Sequence, residues 1–275
     1  MFELIDNLAS PVVLCFLLGL AARAIKSDLA LPEALYQGLS IYLLLAIGLK
    51  GGAALAATPF AAMAIPSLAT LLLGLITPVI AFLAMRRIAR LPIEDAAAVA
   101  AHYGSVSVVT FLAAMEAAKR SGLTPEGYMP ALVALLEVPG IIVALLFARS
   151  SSRSGWTKAL HEVITGKSIV LLCGGLLIGA CCGGDKLQDV KPFFTDCFKG
   201  ALCLFMLELG LVAGKRLRDA GHAGWRLLSL GVMLPPLLGC LGVIAGVLSH
   251  MSIGGCAVLG AMAASASYIL SLIHI

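Results

Sequence analysis

The chain has 275 residues, 60% of them hydrophobic and only 12% charged, with a formal net charge of +4 and a mean hydropathy of +1.03. Soluble domains carry about 25% charged residues, so this composition excludes an ordinary soluble enzyme or binding domain and describes a polytopic membrane protein. The basic residues fall in short clusters between apolar runs, which excludes a basic face for nucleic acid.

A helix that crosses a bilayer takes about 20 apolar residues. Runs of that kind fall at 11–26, 36–57, 61–88, 93–119, 128–149, 167–184, 192–214, 226–249 and from 253 onward, which predicts nine spans. The first follows Glu3 and Asp6 instead of a basic stretch and shows no clear cleavage site, so it reads as a transmembrane helix and not as a signal peptide. Span 2 carries Ile47-Gly48-Leu49-Lys50-Gly51-Gly52, a cation within an apolar run. Span 4 contains His102-Tyr103-Gly104-Ser105-Val106-Ser107, and span 5 contains Glu137-Val138-Pro139-Gly140. The longest polar interruption follows, with Ser150-Ser151-Ser152-Arg153-Ser154-Gly155, and reads as a linker over 150–166. Span 7 holds Leu207-Glu208-Leu209-Gly210-Leu211, and span 9 reaches Ser265-Ala266-Ser267. Cys15, Cys173, Cys203, Cys240 and Cys256 lie within spans and read as buried small hydrophobes. Cys181-Cys182 lies at a helix end, without a His or second Cys pair at metal-ligand spacing.

Lysine and arginine alternate in density from loop to loop. Thirteen of the 19 fall in loops 1–2, 3–4, 5–6 and 7–8, five fall on the other side, and Lys50 lies inside a span. By the positive-inside rule the N-terminus faces out and the central linker faces the cytoplasm. The chain also repeats itself weakly. At an offset of 160, Ala97-Ala98-Val99-Ala100-Ala101 falls on Ala257-Val258-Leu259-Gly260-Ala261, and Ser105-Val106-Ser107 falls on Ser265-Ala266-Ser267. At 162, Ile47-Gly48-Leu49 falls on Leu209-Gly210-Leu211 and Gly52 on Gly214. Five helices per unit is an odd number, so the second copy enters the membrane upside down, and inverted repeats place a site where equivalent segments meet near the midplane.

Glycine and serine together weaken span 4 and open its backbone, which a membrane tolerates only where the freed groups line a cavity. The amide end of an opened helix attracts an anion, and freed carbonyls with serine hydroxyls suit a hard cation such as sodium. The alternative is close helix packing by small residues. Recurrence at the repeat offset favours a site built from Gly104, Ser105, Ser107, Ser265 and Ser267. Ionisable residues within spans are further candidates: Glu137, Glu208, His102 and Lys50. Lys50 and Glu208 are near-equivalents in the repeat, so a structural pair between them is an alternative, as is snorkelling of Lys50. The spacing of His102 and Ser105 also fits a membrane serine hydrolase, although no oxyanion motif accompanies them.

These stretches (Ile47–Gly52, Gly104–Ser107, Glu137–Pro139, Leu207–Leu211 and Ser265–Ser267, in order along nearly the whole chain) resemble those of the sodium-dependent bicarbonate transporter family, the cyanobacterial-type single-component permeases. The resemblance implies an all-α membrane protein of two inverted five-helix repeats, with crossed, discontinuous helices 4 and 9 cradling bicarbonate and sodium. It places the first repeat at 1–149 and the second at 167–269. It implies no cofactor beyond sodium as coupling ion, with that sodium at Ser105, Ser107, Ser265 and Ser267. A homotrimer in the bacterial inner membrane and a PII-like cytoplasmic regulator are implied as well. His102-Tyr103 and Lys50 depart from the family pattern, which is more apolar before Gly104 and has a small polar residue at 50. The segment 270–275 reads as a non-native tail, with helix 10 missing. The function expected is secondary active bicarbonate uptake, not an enzyme. A symporter of a small organic anion on the same scaffold is the alternative, and against a sodium–proton antiporter no Asp-Asp pair appears within a span.

Overall fold

The computed structural model describes residues 10–148, 161, 165–220 and 224–266, and among them the chain is helical without a strand. The helices are α1 (Pro11–Ala24), α2 (Glu33–Ala56), α3 (Phe60–Arg87), α4 (Ile93–Gly104), α5 (Val108–Arg120), α6 (Met129–Ala148), α7 (Lys167–Lys186), α8 (Phe198–Ala220), α9 (Trp225–Leu248) and α10 (Ile253–Ala264). Four stretches among the described residues are long and apolar enough to cross a membrane: Glu33–Ala56, Phe60–Arg87, Ile169–Val190 and Trp225–Leu248. Large apolar side chains cover their outer faces, with Leu68, Leu177, Val232 and Leu237 all more than half exposed. Such a surface is intolerable in water and ordinary against lipid.

Local chemistry sets the helix ends. Ser10 caps α1, its Oγ accepting from the Val13 amide at 3.3 Å, with Pro11 in the first turn where no intrahelical donor is needed. Pro32, Pro59 and Pro92 stand immediately before α2, α3 and α4. In α3, Pro66 and Pro78 interrupt the backbone ladder, and Thr70 and Thr77 hydroxyls donate to the Pro66 and Leu73 carbonyls. In span 7 the α-helix begins only at Phe198, after a short π-helical turn at Pro192–Asp196.

The most extensive helix contacts are α2 with α7, then α1 with α8, then α9 with α10. Both leading pairs cross at glycines. A side chain at Gly52 would run into the Leu176 carbonyl, and one at Gly179 into the Leu49 carbonyl, while Gly48 and Gly175 face each other. On the other pair, Gly19 meets Gly210 and the Leu207 carbonyl. Backbones approach this closely only where no Cβ intervenes, the usual way membrane helices gain packing without a hydrophobic driving force. A large apolar cluster around Phe111, Leu132, Leu172, Phe205 and Leu259 joins both halves, and a smaller one unites α3, α4 and α9 through Ala81, Met85, Ala100 and Leu234.

The cysteine expectation needs correction. Cys256 is buried, but Cys15, Cys173 and Cys203 are half-buried and Cys240 is exposed. The apolar faces of a membrane helix include the lipid-facing one, so an apolar setting does not imply burial in protein.

Candidate functional site

Span 4 does not run through. α4 opens after Pro92 with Glu94 and Asp95 in its first turn, where they complement the positive helix end, and stops at Gly104. Ser105 takes an extended backbone (φ −109°, ψ 143°), as does Ser107 (φ −79°, ψ 111°), and α5 starts at Val108. Ser107 is the N-cap of α5, its Oγ accepting from the Thr110 amide at 3.3 Å. The break is buried: Ser105 is 2% exposed, Val106 0% and Ser107 6%.

The ninth apolar run behaves alike as far as it is described. α10 begins at its own cap, where Ser252 Oγ accepts from the Gly255 amide at 3.0 Å, and ends at Ala264. Ser265 is extended (φ −83°, ψ 154°), and its hydroxyl donates to the Met262 carbonyl at 2.8 Å. The same Ser265 Oγ accepts from the Ser107 amide at 3.0 Å. Two helix ends therefore meet at one buried hydrogen bond. The amide end of α5 faces the carbonyl end of α10, and α4 brings a second carbonyl end to the same break.

At the far end of α5 a second tie holds α10. The chain leaves α5 through Thr124-Pro125-Glu126, and Glu126 Oε1 accepts from the Ser252 amide at 2.6 Å. Ser252 Oγ donates to the Thr124 carbonyl at 3.1 Å. Gly255 has no side chain where the Glu126 carboxylate sits, so an acid stands on the positive end of α10. α5 and α10 are thus fastened antiparallel at both ends. Sequence reasoning missed Glu126. Ser252 did carry a signal, a serine opening an apolar helix three residues before the amide it caps.

The remaining candidates lie in several places. His102 stands half-buried in the last turn of α4. Lys50 is exposed on α2, with Nζ 4.6 Å from the centroid of the Phe198 ring. Glu208 is half-buried on α8, and its Oε2 is buried without a hydrogen-bond partner. The expected alternative of a Lys50–Glu208 pair is not formed: the cation rests on an aromatic ring, and the buried Oε2 of the acid has no hydrogen-bond partner. Glu137 lies in α6 beside the buried Pro139, but its side chain is outside the described residues, as is Ser267. Gly104 is buried at the end of α4. Among the described residues no group of three His, Cys, Asp or Glu could hold a metal ion.

A family model described as the Na+-dependent bicarbonate transporter superfamily matches residues 11–271. No curated protein matches the chain.

Proposed function

This chain belongs to the Na+-dependent bicarbonate transporter superfamily, and from that premise we propose that it is a secondary active transporter carrying bicarbonate inward together with sodium. The observation that carries this reading is the hydrogen bond from the Ser107 amide to Ser265 Oγ. It joins the break between α4 and α5 to the end of α10, 158 residues apart in the chain. Breaks of this kind within apolar runs expose backbone groups that a continuous helix would consume.

An inverted repeat is supported by reciprocity in the packing. The first helix of each half lies against the second helix of the other, α1 on α8 and α7 on α2. The small residues follow suit: Gly52 abuts α7, and Gly214, its equivalent at an offset of 162, abuts Arg23 of α1. The units proposed are 1–149 and 167–269, joined by the linker 150–166, with crossed helices 4 and 9 between them.

In the mechanism, sodium takes hard oxygen ligands from the Ser105, Ser107 and Ser265 hydroxyls and from carbonyls at the ends of α4 and α10, with Ser267 completing the set. Its charge and the amide end of α5 then favour bicarbonate, a small oxyanion that accepts several hydrogen bonds. Glu208, with its unmatched oxygen, Glu137, His102 and Lys50 are the further residues of this proposal, as ionisable groups within apolar runs whose charge would respond to ion binding. The α4/α5/α10 unit moves against the other helices to alternate access. A multi-pass protein of the bacterial inner membrane with its N-terminus outside, a homotrimer, and control by a PII-like protein complete the proposal.

Vesicles containing the protein test this directly. Labelled bicarbonate should accumulate only with an inward sodium gradient, and the double substitution Ser105→Val and Ser107→Val should abolish accumulation. Uptake that ignores sodium, or survives the double substitution, overturns the assignment. Competition by monocarboxylates instead of by bicarbonate would move the substrate to organic anions.

A further inference from the structure

The seam between α1 and α8 ends in a recess that the transport reading does not use. Gly19 and Gly210 bring the two helices together, and one turn further along α8 Gly214 leaves room beside Arg23, whose Cβ lies 2.8 Å from where a Cβ at 214 would stand. α1 stops at Ala24, and Lys26 turns the chain with a positive φ of 57°. The result is a cavity of about 290 Å³ lined by Arg23, Lys26, Ser27, Gly214 and Lys215. All three charged lining residues are basic.

Basic residues at this edge of the membrane need no ligand if they are merely solvated, as the positive-inside pattern requires. Two observations argue for more. The cations surround a recess instead of a convex surface, and Arg23 Nε is buried without a hydrogen-bond acceptor. A buried donor left unmatched is costly, and an anion seated in the recess would supply the missing acceptor. Among the described residues none of these cations forms an ion pair: the salt bridge present, Lys199–Glu116, joins α8 to α5.

We propose that this recess binds a phosphate group, carried either by the headgroup of an anionic phospholipid or by a phosphate-bearing solute. Phosphate matches the donor set, because a guanidinium engages its oxygens in a fork and two ammonium groups balance the remaining charge. A site of this kind lies where a basic pocket between transmembrane helices meets the anionic leaflet.

Two probes distinguish the sources on the full-length protein. Inorganic phosphate is titrated into the protein in neutral detergent against matched chloride, with the unfolding midpoint as readout. Retention of phosphatidylglycerol is measured after transfer from discs of phosphatidylcholine with and without it. At least one probe should bind, and replacing the exposed Lys26 and Lys215 by Gln should weaken it about tenfold or more. Arg216→Gln, an exposed neighbour outside the lining, should leave it unchanged. Response to phosphatidylglycerol alone identifies a lipid site; response to inorganic phosphate identifies a soluble ligand. No binding of either probe, binding undiminished in the Lys26/Lys215 variant, or an equal loss in Arg216→Gln overturns the proposal. The outcome is independent of sodium-driven uptake, so failure of either reading leaves the other standing.

Discussion

Ser265 has two jobs that one substitution separates from side-chain bulk. Its Oγ accepts from the buried Ser107 amide and donates to the Met262 carbonyl. Ser265→Ala removes both and strands a buried N–H, at a cost of about 1–3 kcal/mol. Thermal unfolding should show that loss, and a midpoint equal to wild type would mean that the bond contributes nothing. Glu126 permits a graded test of the opposite end of α10. Glu126→Gln keeps an acceptor for the Ser252 amide and loses only the charge on the helix terminus, about 0.3–1 kcal/mol. Glu126→Ala also leaves that amide unmatched and should destabilise more; equal effects of the two substitutions would contradict the capping role. At this scale the sequence was only partly legible. The serines of span 4 stood out because Gly-Ser-x-Ser is poor helix material, but the contact uses the amide of Ser107 and not its hydroxyl. Glu126 was invisible, since its partner lies 126 residues away and no local pattern marks it.

Between elements, glycine decides which helices can touch. Gly52, Gly179 and Gly210 stand where a Cβ would enter the backbone of the opposing helix, whereas Gly38 on the same α2 has nothing within 4 Å. Gly52→Ala and Gly210→Ala should therefore destabilise by about 1–3 kcal/mol or prevent assembly, because the obstacle is main chain that cannot rotate away. Gly38→Ala should be neutral or stabilising by up to about 1 kcal/mol through helix propensity. Unfolding midpoints and yields in detergent check the contrast, and similar values for Gly38→Ala and Gly52→Ala would refute it. The apolar runs announced these helices well, apart from the start of α8, which the Pro192–Asp196 turn delays. Their partners were not legible, because glycine positions alone do not say which helix lies opposite. The sequence repeat misled where Lys50 and Glu208 were weighed as a pair: near-equivalent positions in a repeat need not lie side by side, and Lys50 rests on the Phe198 ring instead.

For the molecule as a whole, the arrangement gathers three helix ends around one buried point: the carbonyl ends of α4 and α10 and the amide end of α5. Opposite partial charges within a few residues of one another suit a cation and an anion taken up together better than either alone. Composition already demanded a membrane, and the small polar residues at repeat-related positions indicated where to look. Which oxygens and amides converge could be read only from coordinates, because that depends on how α5 and α10 are tied to each other. Coupling of this kind is thermodynamically reciprocal. The decisive measurement is equilibrium binding of bicarbonate to the purified protein as sodium is varied, together with binding of sodium as bicarbonate is varied. Each ion should tighten the other by the same factor, and the Ser105→Val, Ser107→Val protein should lose that mutual effect. Bicarbonate affinity that is the same in sodium and in choline, or coupling that persists in the double variant, would contradict a shared site where the α4–α5 break meets the end of α10.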